Sequence, residues 1–164
     1  MKILVPTDFS GNAWHALNYA IQLMSDKECT FTLIHTYEIP NSSSGEIISI
    51  NDHLRAEANH KLRELKSMAE RASNRNIHNF SYVALHGDFL RVINRFLNEE
   101  EVDLLAISMS NKCYPDSLPH KGYAKRIIEN SKCPVIVVPD CYENSSAVSK
   151  KKVKVASLDK AHAL

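Results

Sequence analysis

Glycine is scarce in this chain: its 164 residues hold four, Gly11, Gly45, Gly87 and Gly122. Neither GxGxxG nor GxxxxGK followed by Ser or Thr can be written through them. A phosphate cradle uses glycine where backbone N–H groups must approach an anion closely or where φ must turn positive. Dinucleotide-dependent dehydrogenases and P-loop ATPases are therefore excluded. A GxSxG elbow, a clear Cys-His pair and paired carboxylates with a defined cleft are also missing, so no enzyme activity is expected. Twenty basic residues face nineteen acidic ones, and a chain this close to neutral has no global field to gather nucleic acid or an acidic membrane surface. No run is long and apolar enough for a transmembrane helix, and Met1-Lys-Ile-Leu-Val-Pro6 enters a strand pattern directly instead of forming a signal peptide. The four cysteines, Cys29, Cys113, Cys133 and Cys141, have no CxxC spacing. A reducing cytoplasm is the expected location, and no disulfide is read between Cys133 and Cys141.

What is present is regular alternation. Strand-like runs at Lys2–Pro6, Thr30–Tyr37, Asn79–Leu85, Leu104–Met109 and Val135–Val138 are separated by stretches of helical period. Apolar faces run through Ala13, Ala16, Leu17, Ala20, Ile21 and Met24, then through Leu54, Ala58, Leu62, Leu65, Ala69 and Ala72. Shorter ones follow at Leu90, Ile93, Phe96 and Leu97, and at Ala124, Ile127 and Ile128. Ser10, Asn51 or Asp52, and Asp88 are the expected N-caps of the first three helices. Apolar strands such as Val135-Ile-Val-Val138 suit a parallel sheet covered on both faces. Strand–helix alternation then predicts right-handed crossovers and an open doubly wound α/β fold of five strands.

The chain length suits one domain, expected over residues 1–140. Asn41-Ser-Ser-Ser-Gly45 reads as a surface loop. Residues 141–164 turn polar and then basic at Lys150, Lys151, Lys152 and Lys154, as a solvated tail does. Val153-Lys-Val-Ala-Ser-Leu-Asp159 faintly echoes Ile3–Asp8, so the opening of a truncated second repeat stays open as an alternative.

Chemistry is expected at the carboxyl ends of the strands, where α/β sheets place ligands. Asp8, in Val5-Pro-Thr-Asp-Phe-Ser10, has two readings: it accepts hydrogen bonds from a ribose or base, or it caps the first helix with Ser10. Between Ser108 and Gly122 the segment SMSNKCYPDSLPHKG occupies the position of a nucleotide-holding loop. Within it Cys113, Asp116 and His120 are metal-ligand types without zinc spacing, and Tyr114, Pro115, Leu118 and Pro119 packing the loop into the crevice is the preferred reading. No metal is expected. His53 and His60 are read as solvent-facing, and His35 as a hydrogen-bonded core histidine.

Lys2-Ile-Leu-Val-Pro-Thr-Asp-Phe-Ser10, Leu33-Ile-His35, His86-Gly-Asp88, Asp103-Leu-Leu105 and Cys133-Pro-Val-Ile-Val-Val-Pro139, in this order and spacing, resemble the universal stress protein family over nearly all of residues 1–139. The resemblance implies a Rossmann-like fold of the adenine nucleotide alpha hydrolase-like kind and a usual state of homodimer. Some members of the family bind ATP or AMP and others do not. Binding members carry Gly, two residues, Gly, nine residues, then Gly followed by Ser or Thr. Counted back from Cys133-Pro134, those positions fall on Ser108, Asn111, Lys121 and Gly122, and each departs from the pattern. If a crevice ligand is retained, the resemblance places it against Pro6, Thr7, Asp8, Thr36, Ile107, Ser108, Asn111, Lys121 and Gly122. Losing three hydrogen bonds to a charged phosphate, at roughly 1.5–3 kcal/mol each, costs about 4.5–9 kcal/mol. That exceeds about a thousandfold in affinity, which Lys121 offsets in part as a point charge. No cofactor is expected, ATP and AMP being disfavoured. Val135, Ile136, Val137 and Val138 form an apolar edge strand, expected to pair across a two-fold axis with Pro134 and Pro139 limiting the ladder. The expectation is a non-enzymatic stress-response module acting as a homodimer, with unknown protein partners, no nucleic acid and no membrane. The alternative is a nucleotide or small-metabolite sensor.

Overall fold

The computed structural model describes residues 1–39, 47–73, 77–109 and 123–139. The Ser-rich stretch 41–45, the loop from 110 to 122 and the tail 141–164 lie outside the described residues. Among the described residues nine elements follow one another: β1 (Lys2–Pro6), α1 (Gly11–Leu23), β2 (Cys29–Tyr37), α2 (Ile47–Ala72), β3 (His78–His86), α3 (Phe89–Glu99), β4 (Leu104–Met109), α4 (Tyr123–Asn130) and β5 (Val135–Pro139). The strands form one parallel sheet in the order β3-β2-β1-β4-β5. The doubly wound α/β fold expected from the alternation is the one observed.

Strand side chains alternate between the two faces, and each face meets its own pair of helices. Ile3, Val5, Phe31, Leu33, Leu104 and Ala106 pack against Leu17, Ala20 and Ile21 of α1 and against Ala58, Leu62 and Ala69 of α2. Leu4, Ile34, Leu105 and Ile107 point the other way, onto Leu90, Val92 and Ile93 of α3 and Ile127 of α4. β1 lies at the centre, and its Ile3, Leu4 and Val5 are each 1% exposed. Full burial of such side chains stabilises by about 1.5–3 kcal/mol apiece, so the central strand anchors both cores.

Two helix starts follow the capping expectation. The Ser10 side chain accepts from the Ala13 N–H at 3.2 Å, and Asp88 Oδ1 accepts from the Arg91 N–H at 3.0 Å. The third differs: α2 begins at Ile47, so Asn51 and Asp52 lie within the helix and neither caps it. Asn51 has another role, since its Oδ1 accepts from the Tyr37 hydroxyl at 3.2 Å and ties α2 to the end of β2. His53 and His60 are exposed on α2, and His60 sits 3.4 Å from Glu64.

The β3–α3 turn depends on Gly87, whose φ is +129°. A Cβ there would stand 3.3 Å from Val92 Cγ2, and its N–H is committed to the Tyr37 carbonyl at 2.9 Å. Backbone strain and crowding both oppose any side chain, so Gly87→Ala is expected to lower stability by about 2 kcal/mol, read as a shifted denaturant midpoint.

At the opposite end of the sheet His78 is buried against Phe31, with ring centroids 5.2 Å apart and edge to face. Burial pushes its pKa down, an effect opposed by the backbone carbonyl of Ile21. Among the described residues its Nδ1 has no hydrogen-bond partner. Because the folded state binds this proton less readily than the unfolded chain, the native state loses stability as pH falls below about 6.5, the ordinary histidine value, towards the lower folded pKa. His78→Phe is expected to flatten the fall of the melting temperature between neutral pH and pH ~5. Parallel curves for the two proteins would place the sensitivity elsewhere.

Candidate functional site

Along a parallel strand, successive residues present their N–H and C=O groups to alternate neighbours. Thr7 donates its N–H to the Ile34 carbonyl of β2 at 2.9 Å, while the Lys2 carbonyl accepts from Asp103 on the β4 side at 2.9 Å. Even-numbered residues of β1 therefore face β4, and the third of these, after Lys2 and Leu4, is Pro6, which has no N–H to give. The pairing reflects this. β1 matches β2 from Lys2 to Pro6 but matches β4 only at Ile3 and Leu4. β1 and β4 thus cease pairing towards their carboxyl ends at the point where the sheet's winding reverses, which is where open α/β sheets hold ligands.

The β1 wall of this crevice is wired to the backbone. Thr7 is buried, its Oγ1 accepting from the Phe9 N–H at 3.0 Å and its carbonyl lying 2.7 Å from His35 Nδ1. A carbonyl only accepts, so Nδ1 carries the proton. His35 is half-buried at the strand's end, not enclosed in the core as the sequence suggested. Asp8 is exposed, and its Oδ1 accepts from the Ser10 N–H at 2.9 Å. The turn is completed by Phe9 at φ +62°. Its ring lies 4.3 Å from that of His35, and Lys61 Nζ stands 5.8 Å from the centroid. Lys61 also bonds Glu57 at 2.6 Å and holds that carboxyl below its usual range.

Pro6, Thr7 and Asp8 thus stand together at the β1 terminus. Ile107 is buried and Ser108 half-buried on β4, where Ser108 is in register with Val138 of β5. Thr36 lies on β2 in register with Leu85, one strand further out. Asn111, Lys121 and Gly122, and with them Cys113, Asp116 and His120, fall outside the described residues. Among the described residues no cluster of histidine, cysteine or carboxylate is disposed to hold a metal ion. No helix of the described residues is long and apolar enough to cross a membrane.

A polar group that the sequence reading missed sits away from this crevice, on the β2–β3 side of the sheet. Tyr37, Asn51, Arg55 and His86 line a cleft at the carboxyl ends of β2 and β3. The alternation Phe31, Leu33, His35, Tyr37 was a signal for it, since it carries one face of β2 from apolar to polar.

The family model described as universal stress protein family matches residues 1–139. The chain belongs to the universal stress protein family. Universal stress protein MJ0531 of Methanocaldococcus jannaschii is 28% identical over 148 residues, covering 84% of this chain and 81% of that protein. Among solved structures, hypothetical protein MJ0577 superposes with a TM-score of 0.70 at 25% identity, over 88% of this chain and 97% of its own. A universal stress protein in complex with cAMP gives 0.58 at 17% identity, over 84% and 96%. These agree in fold with the parallel sheet described above.

In this family member the β1 turn stores strain at Phe9, because a side chain in the left-handed region costs about 1 kcal/mol. Glycine relieves that strain and alanine does not, while both lose the ring contacts with His35 and Lys61. Phe9→Ala is expected to destabilise by about 2 kcal/mol, with Phe9→Gly the more stable of the two by about 1 kcal/mol. Chemical denaturation checks the order, and a reversed order would remove the strain from the turn.

Proposed function

We propose that this universal stress protein is a non-enzymatic stress-response module of the cytoplasm that acts as a homodimer through β5 and does not hold ATP tightly. Its working domain is residues 1–140, followed by a tail or the opening of a second repeat. The observation that carries the dimer is the outer edge of β5. Leu105 donates to the Pro134 carbonyl at 3.0 Å, so alternation turns the backbone groups of Val135, Val137 and Pro139 away from β4. Val135, Ile136 and Val137 are only partly buried within one chain. An apolar edge with outward N–H groups and no charge is a template for pairing, and a second copy running antiparallel closes both edges about a two-fold axis.

The ATP half of the reading rests on residue identity. Ser108, Asn111, Lys121 and Gly122 stand where binding members of the family have three glycines and a hydroxyl. The second reading, a nucleotide or small-metabolite sensor working through Asp8, Thr36, Ser108, Asn111 and Lys121, draws on the opening between β1 and β4. Calorimetric titration separates the two. ATP is expected to bind no more tightly than the millimolar range, and micromolar affinity would establish the sensor instead.

For the dimer, sedimentation at micromolar concentration is expected to give twice the 18.5 kDa chain mass. Val137→Pro deletes an outward N–H without touching a bond to β4, and is expected to yield a monomer with an unchanged far-ultraviolet spectrum. A wild-type monomer would end the proposal.

A further inference from the structure

The cleft at the carboxyl ends of β2 and β3 lies apart from the β1–β4 opening and has a chemistry of its own. Its volume is about 450 Å³, within the range of roughly 300–1,000 Å³ usual for small-molecule sites. Tyr37 and His86 are paired in register across the two strands, and their tilted rings lie 5.8 Å apart, forming an aromatic wall. Ala84 and Ile39 add apolar surface. Opposite stands α2, with Asn51 held by the Tyr37 hydroxyl and Arg55 one helical turn further on.

The polar groups are weighted to one charge. Arg55 is a permanent cation with a planar fork of donors matched to carboxylate and phosphate. α2 forms ion pairs at Glu57–Lys61, His60–Glu64 and Lys66–Glu70, and among the described residues Arg55 enters none of them. No acidic side chain is among the described residues lining the cleft. Asn51 and His86 supply further N–H donors.

We propose that this cleft binds a small oxyanion, phosphate or carboxylate, carried on a planar aromatic body. Arg55 engages the anion, Asn51 assists, and the ring stacks against Tyr37 and His86. The site stands independently of the dimer and of the β1–β4 crevice.

The test is an amide-shift titration of the full chain with phenyl phosphate and with benzoate, using phenol and inorganic phosphate as controls. One or both aromatic anions are expected to saturate, with shifts centred on Tyr37, Asn51, Arg55 and His86 and with either control binding at least about tenfold more weakly. The tighter of the two names the preferred anion. Arg55 is exposed, so Arg55→Ala leaves the spectrum folded and is expected to weaken binding about tenfold to a hundredfold. Asp8→Asn is expected to leave it unchanged. Failure of both anions to saturate at millimolar concentration, affinity indifferent to Arg55→Ala, or shifts centred instead on Asp8 and Ser108 would overturn the site.

Discussion

The parting of β1 from β4 is the constraint on which the rest of this structure depends. β1 is the central strand, and a central strand is ordinarily paired along both sides. Here Pro6 faces β4 without an N–H, and the pairing with β4 is limited to Ile3 and Leu4 while the pairing with β2 continues. One residue therefore places an opening at the reversal of the winding, without a bulge or a break in either strand. Both hydrophobic layers remain intact beneath it, because Ile3, Leu4 and Val5 are already buried before the strands separate.

Once β1 is free of β4, its terminus must be held by something else, and β2 supplies it. The Thr7 amide and carbonyl both turn to β2, one to Ile34 and the other to His35. Phe9 then folds back over His35 in a strained conformation, and Asp8 and Ser10 use their side chains on the backbone to begin α1. The two readings of Asp8 are thus compatible. One carboxylate oxygen shapes the turn, and the residue as a whole stays exposed.

How much of this was legible in the sequence depends on the range of the interactions. Strand positions, helix faces and two of three caps are local properties of period and side-chain type, and they emerged correctly. The start of α2 did not, because Asn51 and Asp52 have the chemistry of caps while the isoleucines from Ile47 onward extend the helix by more than a turn. Asn51 tolerates the helix interior since its side chain is engaged by Tyr37, a contact across two elements that no local pattern announces. The cleft was hidden for the same reason: Tyr37 and His86 are far apart in the chain and meet only through the β2–β3 register. The parting at Pro6 was legible in principle from the proline alone, but its consequence needed to be known as facing β4 instead of β2.

The central proposal is that this family member works as a pair of chains without a tightly held nucleotide. Native mass spectrometry of the protein as purified, with no ligand added, tests both parts in one spectrum. The account predicts a species of twice the 18.5 kDa chain mass with no adduct. A single-chain species, or a dimer carrying the mass of one adenine nucleotide per chain, would contradict it.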